Sequence, residues 1–190
     1  MTQKERALKL ISSFYDEFGQ EREWYGYCPT TTNPSYKVCA GLFRMTIIPT
    51  NANFILKLGK SETGDEQNEN ETHIYELAQE RNLQHWFAKP LFTVQAGPYS
   101  WHAYEKAYFI GEAGQSPLKE KEISEELEEH YLSALYTGEV EDWPHYITHE
   151  KVAHRLVDFF NEYSICDLHS GNWGYSKRAR HLIFTDYAGC

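Results

Sequence analysis

Residues 167–174 read Asp167-Leu168-His169-Ser170-Gly171-Asn172-Trp173-Gly174, and residues 181–189 read His181-Leu182-Ile183-Phe184-Thr185-Asp186-Tyr187-Ala188-Gly189. The first run packs a carboxylate, an imidazole and a carboxamide into six residues. Alone it would read as a turn, because Asp and Asn bond local backbone and tolerate left-handed conformations while glycine supplies flexible positions. The second run changes that reading. Its apolar strand, His181 to Thr185, delivers Asp186 to a strand end. Oxygen groups on neighbouring loops can share a magnesium ion, which prefers oxygen ligands and keeps water and phosphate in its shell.

Upstream, the hydrophobic pattern predicts helices and strands in separate blocks. Leu8, Ile11, Tyr15 and Phe18 recur at helical spacing, and Gly19 can end that helix. Short β-prone runs follow at Tyr36 to Cys39, Leu42 to Ile48 and Asn53 to Leu58, broken by Gly41 and Pro49-Thr50-Asn51. The polar stretch Lys60 to Asn70 is expected to be a loop, and Glu71 to Arg81 a helix with Ile74, Leu77 and Ala78 on one face. Two more strands are expected at Leu91 to Gln95 and Trp101 to Tyr108. A linker is expected at Gly111 to Pro117. Helices are expected around Ile123, Leu127, Tyr131 and Ala134, and around Val152, Leu156, Phe159 and Tyr163. Segregated strands and helices define an α+β class, with an amino-terminal helix and lead-in over 1–35, a sheet with one helix over 36–110, and helices with the polar loops over 111–190.

The two loops resemble the catalytic and magnesium loops of the protein-kinase-like superfamily. Asp167, His169 and Asn172 form the DxHxxN pattern of its aminoglycoside and choline kinase branch, where eukaryotic protein kinases usually have lysine in place of His169. Asp186-Tyr187-Ala188-Gly189 is similar to the DFG motif, with tyrosine for phenylalanine and one extra residue before glycine. Phe54 to Leu58 resembles the strand bearing the phosphate-binding lysine, and Asn68 to Tyr75 the start of the helix bearing its glutamate partner. Ala103 to Ala107, with Glu105, stands where the hinge between lobes would lie. The Gln67 to Glu71 run also resembles small bacteriophage kinase-like proteins.

The resemblance implies a truncated two-lobe kinase-like fold, an antiparallel sheet lobe with a reduced helical lobe, that uses ATP and Mg2+. Lys57 would contact the α- and β-phosphates, with Glu71 as its partner and Glu105 beside the nucleotide. Asn172 and Asp186 would ligate magnesium, and Asp167 would accept the proton of an attacking hydroxyl. Glu76 competes with Glu71, since either can face the sheet depending on register; Glu71 is preferred because Ile74, Tyr75 and Ala78 then follow it as the packing face. His169 fits a substrate-loop or a structural hydrogen-bonding role, the latter preferred. A nucleophilic Cys166 acting with His169 lacks a third, orienting group.

The sequence departs from the family in three places. Ala40 to Arg44 offers one glycine where GxGxxG is expected. Cys166 stands where many regulated kinases have arginine. The sequence stops at Cys190, just past the magnesium loop, so the expected second lobe lacks an activation segment and peptide-docking helices. Two functions therefore compete: phosphotransfer from ATP to an unknown hydroxyl, and a catalytically silent module that binds and regulates a protein partner. A shortened lobe would expose apolar surface, which suggests a stable partner or a homodimer.

Bulk properties narrow the class further. The chain has 190 residues, 41% of them hydrophobic, enough for a core. A formal net charge of −10 opposes attraction to nucleic acid. Apolar runs are far shorter than the roughly 20 residues of a membrane helix, and residues 1–10 are too polar for a secretory signal. Cys28, Cys39, Cys166 and Cys190 form no CxxC pair. A cytoplasmic protein with free thiols, in the host cytoplasm if viral, is expected.

Overall fold

The structure, a computed structural model, describes residues 1–20, 30–108, 129–130, 133–134, 137 and 150–188. It is a mixed α+β chain whose main sheet has five antiparallel strands: β1 (Tyr36–Ala40), β2 (Arg44–Pro49), β3 (Phe54–Gly59), β4 (Pro90–Ala96) and β5 (Tyr99–Glu105), in the order β1-β2-β3-β5-β4. β6 (Trp173–Ser176) and β7 (His181–Phe184) form a second, two-stranded antiparallel sheet. The helices are α1 (Gln3–Phe18), α2 (Glu62–Glu80) and α3 (Glu150–Glu162). Residues divide into two compact units, 1–72 with 89–106 and 73–88 with 107–190. This division differs from the sequential blocks expected, because α1 belongs to the sheet and the boundary falls inside α2.

In the first unit, strand alternation gives the sheet two unlike faces. Met45, Ile47, Phe54, Leu56, Leu58, Trp101 and Ala103 form an apolar face buried with Ala7, Ile11 and Phe14 of α1. A capping box fixes the start of α1: Thr2 Oγ1 accepts from the Glu5 amide and the Glu5 carboxylate accepts from the Thr2 amide. The period of α1 is as expected: Ile11 is buried and Tyr15 and Phe18 pack against the core, but Leu8 is exposed and Ala7 and Phe14 are the other buried residues. Burying Ile11 and Phe14 stabilises by about 1.5–3 kcal/mol each.

The opposite face carries Arg44, Lys57, His102 and Tyr104, and the first half of α2 packs on it through Gly64, Asn68 and Glu71. The expected loop over Lys60 to Asn70 is thus corrected to helix. Its signals were a cap and close packing instead of an apolar stripe. Ser61 Oγ accepts from the Gly64 amide at 3.4 Å, Glu62 and Asp65 lie in the first turn where the helix dipole favours acids, and a Cβ on Gly64 would run into the Phe43 carbonyl oxygen.

The second unit has an aromatic core. Phe87 packs against Phe159, Phe160, Phe184 and Tyr187 with ring centroids 5.0–6.4 Å apart. Ile74, Tyr75 and Ala78 of α2 join it, as do Ala153, Leu156 and Val157 of α3. Gly174 is required in β6, because a Cβ there would come within 2.6 Å of the Ala107 Cβ. The linker expected at 111–117 lies outside the described residues, as does most of the helix expected around residues 123–134, of which Ala134 is buried in this core. Among the described residues no helix is long and apolar enough to cross a membrane.

Candidate functional site

Lys57 lies in the middle of the sheet, with Thr46 of β2 and His102 of β5 as its register partners. Its Nζ donates to Glu71 Oε1 at 2.7 Å and to Oε2 at 2.9 Å. Glu71 is fully buried and Lys57 nearly so, whereas Glu76 is exposed. The register question is therefore answered for Glu71. The Lys57 ammonium also sits over the Tyr104 ring, 4.9 Å from its centroid. The Tyr104 hydroxyl donates to the Asn68 carbonyl at 3.0 Å, which ties β5 to α2.

Sequence reasoning assigned no role to a third member of this cluster. Arg44 Nη1 lies 3.0 Å from Glu71 Oε1, the same oxygen that Lys57 reaches. Arg44 is buried as well. The β2–β3 register, which pairs Thr46 with Lys57, puts Arg44 on the same face as Lys57.

Charge and burial compete here. Burial pushes the Lys57 amine down to about 8, and the Arg44 cation adds to that effect while Glu71 opposes it. For Glu71, burial favours the neutral acid, but the Arg44 and Lys57 cations outweigh it and hold the carboxyl below the usual range. His102 is lowered by burial, against the opposing pull of Glu69, Asp65 and Glu71.

Glu105 ends β5. Its amide donates to the Lys89 carbonyl at 2.8 Å, and its carboxylate accepts from the Lys89 amide at 3.4 Å. The turn between β1 and β2 is held by Lys60, whose amide donates to the Phe43 carbonyl at 2.8 Å and whose Nζ donates to the Gly41 carbonyl at 2.9 Å. This turn stands where a glycine-rich loop was sought.

In the second unit the polar loops hang from the aromatic core. Trp173 Nε1 donates to the Leu168 carbonyl at 2.9 Å, and the Tyr187 hydroxyl donates to the Ala88 carbonyl at 2.7 Å. Asn172 is buried. Its Nδ2 donates to the Asp167 carbonyl at 2.8 Å, and its own carbonyl accepts from the Thr185 amide at 2.7 Å. That last bond extends the β6–β7 pairing by one step and brings Asn172 and Asp186 to the same end of the hairpin.

Asp167 and His169 are exposed, with His169 Nε2 3.5 Å from Asp167 Oδ1. His169 Nδ1 accepts from the Gly171 amide at 3.0 Å, so the imidazole caps the following turn, consistent with the structural role preferred for it. Cys166 is disulfide-bonded, which corrects the expectation of free thiols for this residue and removes it as a nucleophile; Cys39 is exposed. Among the described residues no group of three or more His, Cys, Asp or Glu side chains is arranged to hold a metal ion.

Compared with known proteins, the chain matches no family model and no curated sequence at a significant level. The chemistry of the residues is therefore what supports a functional reading.

Proposed function

We propose that the chain is a phosphotransferase with a reduced kinase-like fold, related to small bacteriophage kinase-like proteins, that moves the γ-phosphoryl group of ATP to an acceptor hydroxyl. One observation carries this reading: a lysine and a glutamate buried together inside a sheet-and-helix layer. Desolvating two charges costs several kcal/mol per ion, and apolar residues of similar size would stabilise the fold as well or better. A lysine kept there at that cost, with its amine shifted by burial, supports a functional role for it.

In this reading Lys57 binds the nucleotide phosphates, Glu71 orients its amine, and Glu105 borders the base. The acceptor oxygen forms a bond to the γ-phosphorus as the bond to the β–γ bridging oxygen breaks; ADP leaves, and the hydroxyl proton passes to the exposed Asp167 carboxylate. The donor set of the second unit fits magnesium, since the Asn172 carboxamide and the Asp186 carboxylate offer hard oxygens and leave other positions to water and phosphate. Bound by these two residues, the ion would offset charge on the phosphates.

A second reading, a silent module that binds a protein partner, draws on the β1–β2 turn. Lys60 engages its carbonyls and Leu42 at its tip is 63% exposed, an apolar presentation in place of a phosphate-gripping loop. Magnesium-dependent turnover of ATP by the wild type, lost in K57A and in D186N, supports phosphotransfer. A wild type that neither binds nor hydrolyses ATP sinks it and leaves partner capture as the account.

A further inference from the structure

His169 caps its turn with only one of its two ring nitrogens. Nδ1 accepts from the Gly171 amide at 3.0 Å. A ring nitrogen that accepts a hydrogen bond carries no hydrogen, so the neutral imidazole keeps its proton on Nε2. That second nitrogen faces Asp167 Oδ1 at 3.5 Å. Shape holds the ring there as well: a Cβ on Gly171 would come within 2.8 Å of His169 Cε1 and 3.0 Å of its Nδ1. Glycine at 171 thus supplies both the amide that fixes the tautomer and the space in which the ring lies.

Resting on the phosphotransfer reading above, we infer that His169 is a positioning residue for Asp167: it presents its Nε2–H to Oδ1, which steadies the carboxylate in one orientation and leaves Oδ2 to take the proton of the attacking hydroxyl. At 3.5 Å the two atoms lie just beyond a well-formed hydrogen bond. In ligand-free sites such contacts are often long and tighten as the reacting groups assemble. The side chains of His169 and Asp167 are 55% and 59% exposed, so their contact does little for the fold, and Asp167 stays open to an acceptor. Orientation of the base is what such a neighbour contributes. Turn capping accounts for Nδ1 and for Gly171, but not for the direction of the other nitrogen, which meets the only carboxylate in the Cys166 to Gly174 run.

Full-length wild type, H169N and H169Q separate the two nitrogens. Asparagine places an acceptor where Nδ1 lies and keeps the cap on the Gly171 amide, while glutamine places an N–H where Nε2 lies. The tautomer is read in ligand-free wild type from the ring-nitrogen chemical shifts in mildly alkaline buffer, where imidazole is neutral. Turnover is read as magnesium-dependent hydrolysis of ATP with water as the acceptor: its oxygen bonds the γ-phosphorus, ADP leaves, and its proton passes to Asp167.

The expected tautomer has its proton on Nε2. In H169N the melting temperature is expected to hold while kcat falls roughly tenfold at unchanged KM for MgATP; in H169Q kcat stays closer to wild type although the cap is lost. G171A, which crowds the ring and alters no functional group, should lower kcat as H169N does. A proton on Nδ1 overturns the inference, and so does an H169N with wild-type kcat, or a kcat that falls in both His169 variants only in step with melting temperature. A wild type that fails to hydrolyse ATP sinks the phosphotransfer reading and this inference with it, whereas turnover by a wild type with its proton on Nδ1 sinks this inference alone.

Discussion

Two close base–carboxylate pairs in this chain have opposite surroundings. Lys57 and Glu71 meet at 2.7 Å with side chains 5% and 0% exposed, while His169 and Asp167 lie 3.5 Å apart with side chains 55% and 59% exposed. At close range an ion pair in water is worth about 1 kcal/mol and is further weakened by salt, whereas the same pair in a protein interior interacts several times more strongly. The buried pair is thus built into the fold and set before any ligand arrives. The exposed pair contributes little to the fold and leaves Asp167 accessible to an incoming group. The proposed phosphotransfer would use both kinds: a preset grip for charge and an open base.

Breaking the buried pair should have the largest effect. Glu71→Gln removes the carboxylate that two buried cations share, and we expect a loss of ~3–5 kcal/mol by urea denaturation. A loss under about 1 kcal/mol would mean that the cluster relaxes into water and is no buried network. Lys57→Met should cost less, since Arg44 still compensates Glu71.

Alkaline titration sharpens the same contrast. Burial sets Lys57 at about 8 in the fold against the usual 10.5, so between these values the unfolded chain keeps a proton that the folded chain has released. More protons on the unfolded state means that stability contributed by this group rises with pH across that window. Tyr36 and Tyr104, both raised chiefly by burial, act in the opposite direction once unfolded tyrosines ionise near 10. The measurement is therefore the difference between wild type and Lys57→Met from pH 8 to 10, expected to shift in favour of wild type; a flat difference would contradict the burial of the amine.

At the exposed end, Asp167→Asn should change stability by no more than about 0.5 kcal/mol while abolishing phosphotransfer. A large drop in melting temperature would show that Asp167 serves the fold and not the chemistry.

The same contrast explains what could be read in the sequence. Strands β1 to β5 were legible because one face of each alternates towards an apolar core with α1. The partner of Lys57 was legible as a choice between Glu71 and Glu76, since the apolar Ile74, Tyr75 and Ala78 fix the helix face. The first half of α2 was not legible. Its buried stripe is Gly64, Asn68 and Glu71, residues that periodicity counts as solvent-facing, and they are inside because the sheet face beneath them is polar. Arg44 was overlooked for the same reason: a charged residue in a short strand reads as surface until the strand's register with Lys57 is known. The loops at Asp167 and Asp186 were legible as a dense run of functional groups, but what holds them, the Trp173 and Tyr187 hydrogen bonds to distant carbonyls, depends on tertiary packing that no local pattern carries.

The central proposal is that this chain binds ATP, with Lys57 as a phosphate-binding residue and Asn172 and Asp186 as magnesium residues. Calorimetric titration of ATP into wild type, K57A and D186N, with and without magnesium, tests it most directly. The account predicts saturable binding by wild type that strengthens with magnesium, loss of binding in K57A, and loss of the magnesium effect in D186N. Absence of any ATP binding by a folded wild type, or binding that both substitutions leave intact, would contradict it.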